Sequence, residues 1–393
     1  MIKKLLIISY IISTASIINA QDISSFLKSV AENNPEILAY RKLLEAKKTE
    51  ARINLTPSDP FVSFGYMPGT TSAIGIKKTW SVNQAFAFPT KYLLQKKLNR
   101  TTIILAEQEY NYGILLTLLE AKLDLFDMIY CTKRLKVLST RKELYSRLQA
   151  AWKKMLDTGE ATIMEYNKIT LELSSVELQI NRLEADIRNI TAKLSFMNGM
   201  KIPIPSDIDY PVNTDTDPNA LISEKNTAHP AFLLPETEFL ISLGEVRLSR
   251  SAVLPELQIG YASETIPGET YIGPTAGLSI PLWSNSFRIK TAVAKSAQSA
   301  AARDAEILRL KSEVSREFDN SVSLKKSLDE LNSMFKSNGD TKYLDIALNN
   351  SEISLTEYFS YLTVFWQVTD KLLEIENEYN KSQAKLHDHE LLK

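Results

Sequence analysis

Residues 169–194 read ITLELSSVELQINRLEADIRNITAKL, and residues 361–386, 192 positions further on, read YLTVFWQVTDKLLEIENEYNKSQAKL. In the first stretch Ile169, Leu173, Val176, Ile180, Leu183, Ile187, Ile190 and Leu194 step by four and three without a miss, which is the seam of a coiled coil. The second stretch sets Tyr361, Phe365, Val368, Leu372, Ile375, Tyr379, Ser382 and Leu386 at the same steps, seven of the eight apolar. One packing plan is written twice, and internal repetition decides architecture before any local feature does.

Just upstream of each seam lies a helix start. Thr162-Ile163-Met164-Glu165 and Ser354-Leu355-Thr356-Glu357 both read as capping boxes. Thr158-Gly159 ends the helix before the first box, glycine taking the left-handed cap, and Asn349-Asn350 is expected to do the same before the second. These turns are the tips of helical hairpins. The outgoing arm of the first hairpin carries Leu98, Leu105, Tyr112, Leu119 and Phe126 every seven residues, with no proline from Thr90 to Asp157. At ~1.5 Å per residue such a helix is roughly 100 Å long, more than a small globular core can use.

Further upstream the two halves share Asn34-Pro35 with His229-Pro230, then Pro60 with Pro255, both gaps being 25 residues. A helix is expected from Asp22 to about Leu55, stopped by Pro57 and Pro60. Phe61 to Met67 and Ala73 to Phe86 then alternate around a Pro68-Gly69 turn, which makes a β-hairpin. The second half repeats it with Leu257, Ile259 and Tyr261, a turn at Pro267-Gly268, and Ala276, Leu278, Ile280 and Leu282. Each half is therefore read as a helix, a hairpin and a helical pair. The fold class is α+β, mostly α, with an internal duplication. The division is residues 1–20 as a signal peptide, 21–197 as the first repeat, 198–227 as a linker marked by Gly199, Pro203, Pro205 and Pro211, and 228–393 as the second repeat. Ser337 to Asp340 interrupts the second outgoing helix, with no counterpart in the first half.

The start of the chain has Lys3 and Lys4, an apolar run from Leu5 to Ile18, and Asn19-Ala20 before Gln21, the pattern of a secretory signal cleaved between Ala20 and Gln21. Losing the two lysines takes the formal charge from −1 to −3, and this near balance gives no electrostatic case for nucleic acid. Cys131 is the single cysteine, so the chain holds no disulfide within itself and no cysteine metal cluster; its apolar neighbours favour a packed thiol. No serine or cysteine has a histidine at motif spacing, and no carboxylate pair stands beside a base, so no catalytic, cofactor or metal residues are assigned and the chain is not read as an enzyme. His387-Asp388-His389 is read as part of a solvated tail, and His229 as a structural residue at a helix entry. Glu165 and Glu357 are read as helix caps, while Glu160 and Glu352 are open to a role at a pore mouth.

Beyond the signal no stretch is apolar enough to be a spanning helix, so membrane insertion of the mature chain must use strands. Ile74, Ile76, Trp80, Val82, Ala276, Leu278 and Ile280 are the candidate lipid-facing residues, with Tyr66, Trp80, Tyr261, Tyr271 and Trp283 as candidates for an aromatic belt. Four strands alone would leave two open edges in lipid, so closure must come from other copies.

In order and in duplicate, Asn33-Asn34-Pro35-Glu36-Ile37, the prolines before both first strands, QAFAFPTK at 84–91 and Thr158-Gly159-Glu160-Ala161 resemble the TolC-type outer-membrane efflux channels. Phe88-Pro89-Thr90-Lys91 is similar to the Phe-Pro-Gly-Lys segment of that family's heavy-metal branch, with Thr90 where glycine is usual, and Ser351 stands where the second tip glycine would be. The resemblance covers nearly the whole mature chain. It implies a homotrimer with a twelve-stranded outer-membrane barrel continued by a helical tunnel in the periplasm. It also implies no cofactor, and docking of the tips (Thr158, Gly159, Glu160, Ser351, Glu352 and Ile353) on a periplasmic adaptor served by an inner-membrane pump of the RND type. Two other readings fit the pattern: a soluble periplasmic coiled-coil structural protein and, within the family, a duct for type I protein secretion.

Overall fold

The computed structural model describes residues 23–71, 74–200, 208–211, 217–281, 286–338, 342–350 and 352–392. Its helices are α1 (23–33), α2 (Pro35–Glu50), α3 (Pro89–Thr158), α4 (Ile163–Met197), α5 (Pro218–Ala228), α6 (Pro230–Ser251), α7 (Ser286–Asn338), α8 (Lys342–Asn349) and α9 (Leu355–Leu386). The strands are β1 (Phe61–Pro68), β2 (Ile76–Phe86), β3 (Glu256–Ile266) and β4 (Glu269–Ser279). The signal-sequence residues, Ala20 and Gln21 among them, lie outside the described residues, as do Ala73, Leu282, Trp283, Gly339, Asp340 and Ser351.

The helix expected from Asp22 to Leu55 is two helices and a short 3-10 turn at Ile53–Leu55. Pro35 has no N–H to continue α1, and Asn34 caps α2 instead, its Oδ1 accepting from the N–H of Glu36 at 2.8 Å and of Ile37 at 3.1 Å. The second half is built alike. His229 caps α6, its Nδ1 accepting from the Ala231 N–H at 3.1 Å, so the ring is structural as expected. Within the segment read as a linker at 198–227, a helix, α5, begins after Asp217 and fills Pro218–Ala228. Proline at its first position suits a helix start rather than a loop.

The chain forms two compact units, and α2, α3, α5 and α7 contribute residues to both. One unit comprises residues up to 39, 113–224 and 312 onward. Its first core joins Phe26 and Val30 of α1 to Leu118, Ala121, Leu125 and Phe126 of α3, Leu194 and Met197 of α4 and Ala384 of α9. A second core sets Leu138 and Tyr145 of α3 against Ile169, Val176 and Leu183 of α4 and Tyr358, Phe359 and Leu362 of α9. All eight residues of the first seam belong to these clusters. The second seam is displaced at its start: Tyr361 is 61 % exposed, while Tyr358, Phe359 and Leu362 are the buried residues there. Cys131 is packed in the same core, and burial pushes its thiol up to about 11, which makes it inert near neutral pH.

The linker reaches into this unit. Tyr210 packs edge-on against Phe126 with ring centroids 5.5 Å apart, and its hydroxyl donates to Asn377 Oδ1 at 3.2 Å. Lys133 lies 4.6 Å over the Tyr210 ring and pairs with Asp209 at 2.8 Å and Glu376 at 2.9 Å. The His387–His389 region is not a solvated tail: Asp388–Leu392 form a 3-10 turn in which Asp388 and His389 are buried, and His389 Nε2 sits 3.1 Å from Glu224. Leu391 packing against the first core is the apolar anchor that the charged neighbours obscure.

The other unit comprises residues 40–112 and 225–311 and holds the sheet. All four strands pair antiparallel in the order β1-β2-β3-β4.

Candidate functional site

Registration divides the sheet into two chemically opposite faces. Val62 lies opposite Val82, and Val82 opposite Tyr261; Phe64 faces Trp80, Leu257 faces Leu278 and Ile259 faces Ala276. Because side chains alternate along a strand, these residues share one face. Val62, Phe64, Trp80, Val82, Ile259, Tyr261, Ile272 and Leu278 are all exposed there, a mainly apolar surface that also carries Lys78, Gln84 and Ser263. The opposite face carries Ser63, Thr79, Ser81, Asn83, Gln258 and Thr275 among Gly65, Gly260, Gly273 and Gly277, and also Tyr271 opposite Glu264, which removes Tyr271 from the candidate aromatic belt. Ser63 and Ser81 share a hydrogen bond at 2.8 Å, and Asn83 Nδ2 donates to Ser81 Oγ at 2.9 Å. A Cβ at Gly260 would collide with Asn83 Oδ1 and would sit 2.8 Å from Thr275 Oγ1, so this polar lining demands a bare backbone there. Of the charged groups on this face, Lys77 pairs with Glu264 at 2.6 Å near the turn end, and Glu256 with Lys91 at 3.4 Å at the helix end. Between them the lining is uncharged.

Trp80 and Val82 fall where the sequence puts them, mid-strand on the apolar face, and Ile76, Ala276 and Leu278 share that face. Ile74 and Ile280 are corrected: Ile74 belongs to the β1–β2 turn and Ile280 follows the last residue of β4, although both are exposed. The outer edges of β1 and β4 pair with no strand among the described residues. An apolar face with two open backbone edges is unsuited to water on one count and to lipid on the other.

The first helical tip is closed by its own backbone. Gly159 takes φ +80°, and the N–H groups of Glu160 and Ala161 both reach Met155 O, at 2.8 and 3.1 Å. The Thr158 hydroxyl turns back to Met155 O at 3.1 Å. Thr162 and Glu165 form the expected capping box, and the Thr162 N–H and hydroxyl hold the Glu165 carboxyl below the usual carboxylate range. Ser354 and Glu357 repeat it, with the same cause and the same direction.

The second tip departs from expectation in two respects. Neither Asn349 nor Asn350 has a positive φ; Asn350 instead continues the helical bond pattern, its N–H reaching Ile346 O at 2.9 Å, while its side chain donates to Glu352 at 3.3 Å. The Glu352 N–H reaches Ala347 O at 2.8 Å and so satisfies a carbonyl of this helix end without a left-handed residue at Asn349 or Asn350. Ile353 packs inward on the α3/α4/α9 core rather than outward, whereas Glu160 and Glu352 are exposed. Ile163, Met164, Tyr343 and Ile346 are large exposed apolar residues close to the tips that sequence reading passed over; Met164 and Tyr343 are each 75 % exposed. For Ile163 and Met164 the signal was an apolar residue inside a capping box, where a polar one would serve.

Among the described residues no helix is long and apolar enough to cross a membrane, and no group of three or more His, Cys, Asp or Glu could hold a metal ion.

Long helical hairpins attached to a four-stranded sheet with one apolar and one polar face define the fold of the outer-membrane channels. The chain is similar to the solved structure of CusC, described in terms of transmembrane channel formation, with TM-score 0.79 and 12 % identity over 94 % of this chain and 92 % of that one. It is also similar to the Campylobacter jejuni CmeC outer membrane channel, with TM-score 0.76 and 12 % identity over 94 % and 85 %. A third likeness is to the Vibrio cholerae outer membrane protein VceC, with TM-score 0.70 and 12 % identity over 95 % of each chain. No protein-family model and no curated protein sequence matches the chain. The mostly helical chain with a four-stranded antiparallel sheet that the TolC-type resemblance implies is thus observed.

Proposed function

We propose that this protein is the outer-membrane channel of a tripartite efflux system, a passive duct through which solutes delivered by an inner-membrane pump and a periplasmic adaptor leave the cell. The observation that carries the reading is the open sheet. Its apolar face suits lipid, and each backbone group left unsatisfied at an edge there costs several kcal/mol, so the edges must be closed by other copies. Three copies give twelve strands. At a spacing of ~4.8 Å and a tilt of ~40°, the closed sheet is roughly 24 Å across between backbones. The glycines, hydroxyls and amides of the polar face then line a water-filled lumen. In this reading residues 1–20 are removed on export, 21–197 and 228–393 are the two repeats and 198–227 joins them. The duct performs no covalent chemistry and needs no cofactor.

The test is the native mass of the mature protein taken from outer membranes in mild detergent. A trimer is expected; a monomer absent from the membrane fraction would overturn the reading.

Thr158, Gly159, Glu160, Ser351 and Glu352, with Met164 and Tyr343 beside them, are the proposed adaptor contacts. A Cβ at Gly159 meets nothing within 4 Å, so a side chain there is opposed only by the left-handed backbone, at about 1–2 kcal/mol confined to the tip. Gly159→Val is therefore expected to abolish export in a cell-based efflux assay while leaving the trimer intact. Gly159→Asn, which tolerates that backbone, is expected to keep most of it.

A further inference from the structure

The two repeats fill one packing site differently. An offset of 195 carries Phe26 of α1 onto Leu221 of α5. The offset of 192 carries Phe126, Ile129 and Tyr130 of α3 onto Phe318, Ser321 and Val322 of α7, and Leu194 of α4 onto Leu386 of α9. In the first repeat Phe26, Phe126, Ile129 and Leu194 belong to one core, in which the Phe26 ring is fully buried. In the second, leucine stands for Phe26, serine for Ile129 and valine for Tyr130, each a shorter side chain. A cavity of about 160 Å³ opens there, lined by Leu221, Phe318, Ser321, Val322, Gln383 and Leu386. Leu221, Ser321 and Leu386 are buried in its wall, and exposed Val322 marks its open side. Ser321 adds an independent observation. It is 2 % exposed, and its Oγ accepts from Gln383 Nε2 at 2.7 Å, yet its own proton finds no acceptor among the described residues. A buried donor left in that state is costly, so the site calls for an acceptor.

We propose that this cavity binds a small monocyclic aromatic molecule of the phenol class, its ring in the place that Phe26 fills in the first repeat and its oxygen on the Ser321 hydroxyl. The inference stands apart from the duct reading, because the site lies within the helical unit of a single chain. The size fits, since a cavity of about 150 Å³ lined by apolar side chains takes up a benzene ring. The walls fit too. Phe318 and Leu386 retain the phenylalanine and leucine that flank Phe26 in the first core, so the surface that receives a ring is kept while the ring itself is missing. The oxygen decides the class. An alkane of equal volume would leave the Ser321 proton unsatisfied, and water alone would wet the faces of Leu221, Phe318 and Leu386.

The test titrates para-fluorophenol, followed by fluorine NMR, into the mature full-length protein in mild detergent. Saturable binding with a Kd under about 1 mM is expected. Leu221→Phe restores the missing ring and is expected to abolish saturation. Ser321→Ile restores the other first-repeat residue and is expected to do the same from a different wall, so the result does not hang on one variant folding. Ser321→Ala is expected to weaken para-fluorophenol about five- to tenfold, the loss of one hydrogen bond, and to leave fluorobenzene unchanged. A parent protein, folded by circular dichroism, that shows no saturable binding overturns the proposal. Binding that both filled variants retain is uptake into detergent and overturns it as well. Undiminished affinity for para-fluorophenol in Ser321→Ala overturns the oxygen contact, and the phenol class with it.

Discussion

Replacing Val82 by Arg is expected to remove the protein from the outer membrane, while the same replacement at its neighbour Ser81 leaves assembly intact. The two residues adjoin in β2 and their side chains point to opposite faces. Val82 lies between Val62 and Tyr261, near the middle of the apolar surface. A charged guanidinium there would meet hydrocarbon, at about 2–4 kcal/mol per site near the bilayer midplane, and three copies multiply the cost in one barrel. Ser81 lies on the polar face, hydrogen-bonded to Ser63, where an arginine enters a water-filled lumen. What Ser81→Arg loses is two neutral hydrogen bonds, to Ser63 and from Asn83, about 2 kcal/mol together. Comparing the membrane-bound trimer of the two variants checks the assignment of faces. Equal yields for both would sink the lipid-facing reading, and loss of both would mean that the strand tolerates no long side chain on either face.

This face assignment could be read in the sequence because strand periodicity is short and local: Val62, Phe64 and Tyr66 alternate with Ser63 and Gly65 without reference to anything distant. The first coiled-coil seam was legible for the same reason. What the sequence hid was set by tertiary contact. Helix α9 presents two apolar faces, one to α7, where Phe335 meets Phe365, and one to α3, where Tyr145 meets Phe359. A single heptad seam finds one of them and misplaces Tyr361. The break at Asn34 is local, but the further contact that buries this residue is not, since Asn34 Nδ2 donates to Met197 O, 163 residues along the chain, at 2.9 Å. The buried position of His389 likewise depends on Glu224, and no local pattern reports such a pair. At the tips, position was legible and orientation was not: Ile353 and Met164 are both apolar and tip-proximal, yet one packs inward and the other is exposed.

The other large effect concerns Arg141 and Asp370, which join α3 to α9 beside the second core. Arg141 Nη2 lies 3.0 Å from Asp370 Oδ1, with the arginine side chain 8 % exposed and the aspartate 28 %. The guanidinium also stacks 4.7 Å over Trp366, while its Nε finds no acceptor among the described residues. Removing the aspartate alone leaves a buried positive charge facing only an aromatic ring, and breaking a buried pair in this way costs about 3–5 kcal/mol. Partial hydration of Asp370 places Asp370→Ala near the lower figure, about 3 kcal/mol. Removing both charges is a different matter, since neither ion then has to be taken out of water. Arg141→Met with Asp370→Leu is expected to lie within about 1 kcal/mol of the parent, or to exceed it in stability. Denaturant unfolding of the helical unit, followed by circular dichroism, separates the outcomes through the coupling between the two sites. A double variant as unstable as Asp370→Ala would show that the pair contributes real net stability to the α3/α9 seam. A stable double variant would assign the seam's strength to Leu138, Tyr145, Phe359 and Leu362, and leave the ion pair to fix the register in which those side chains meet.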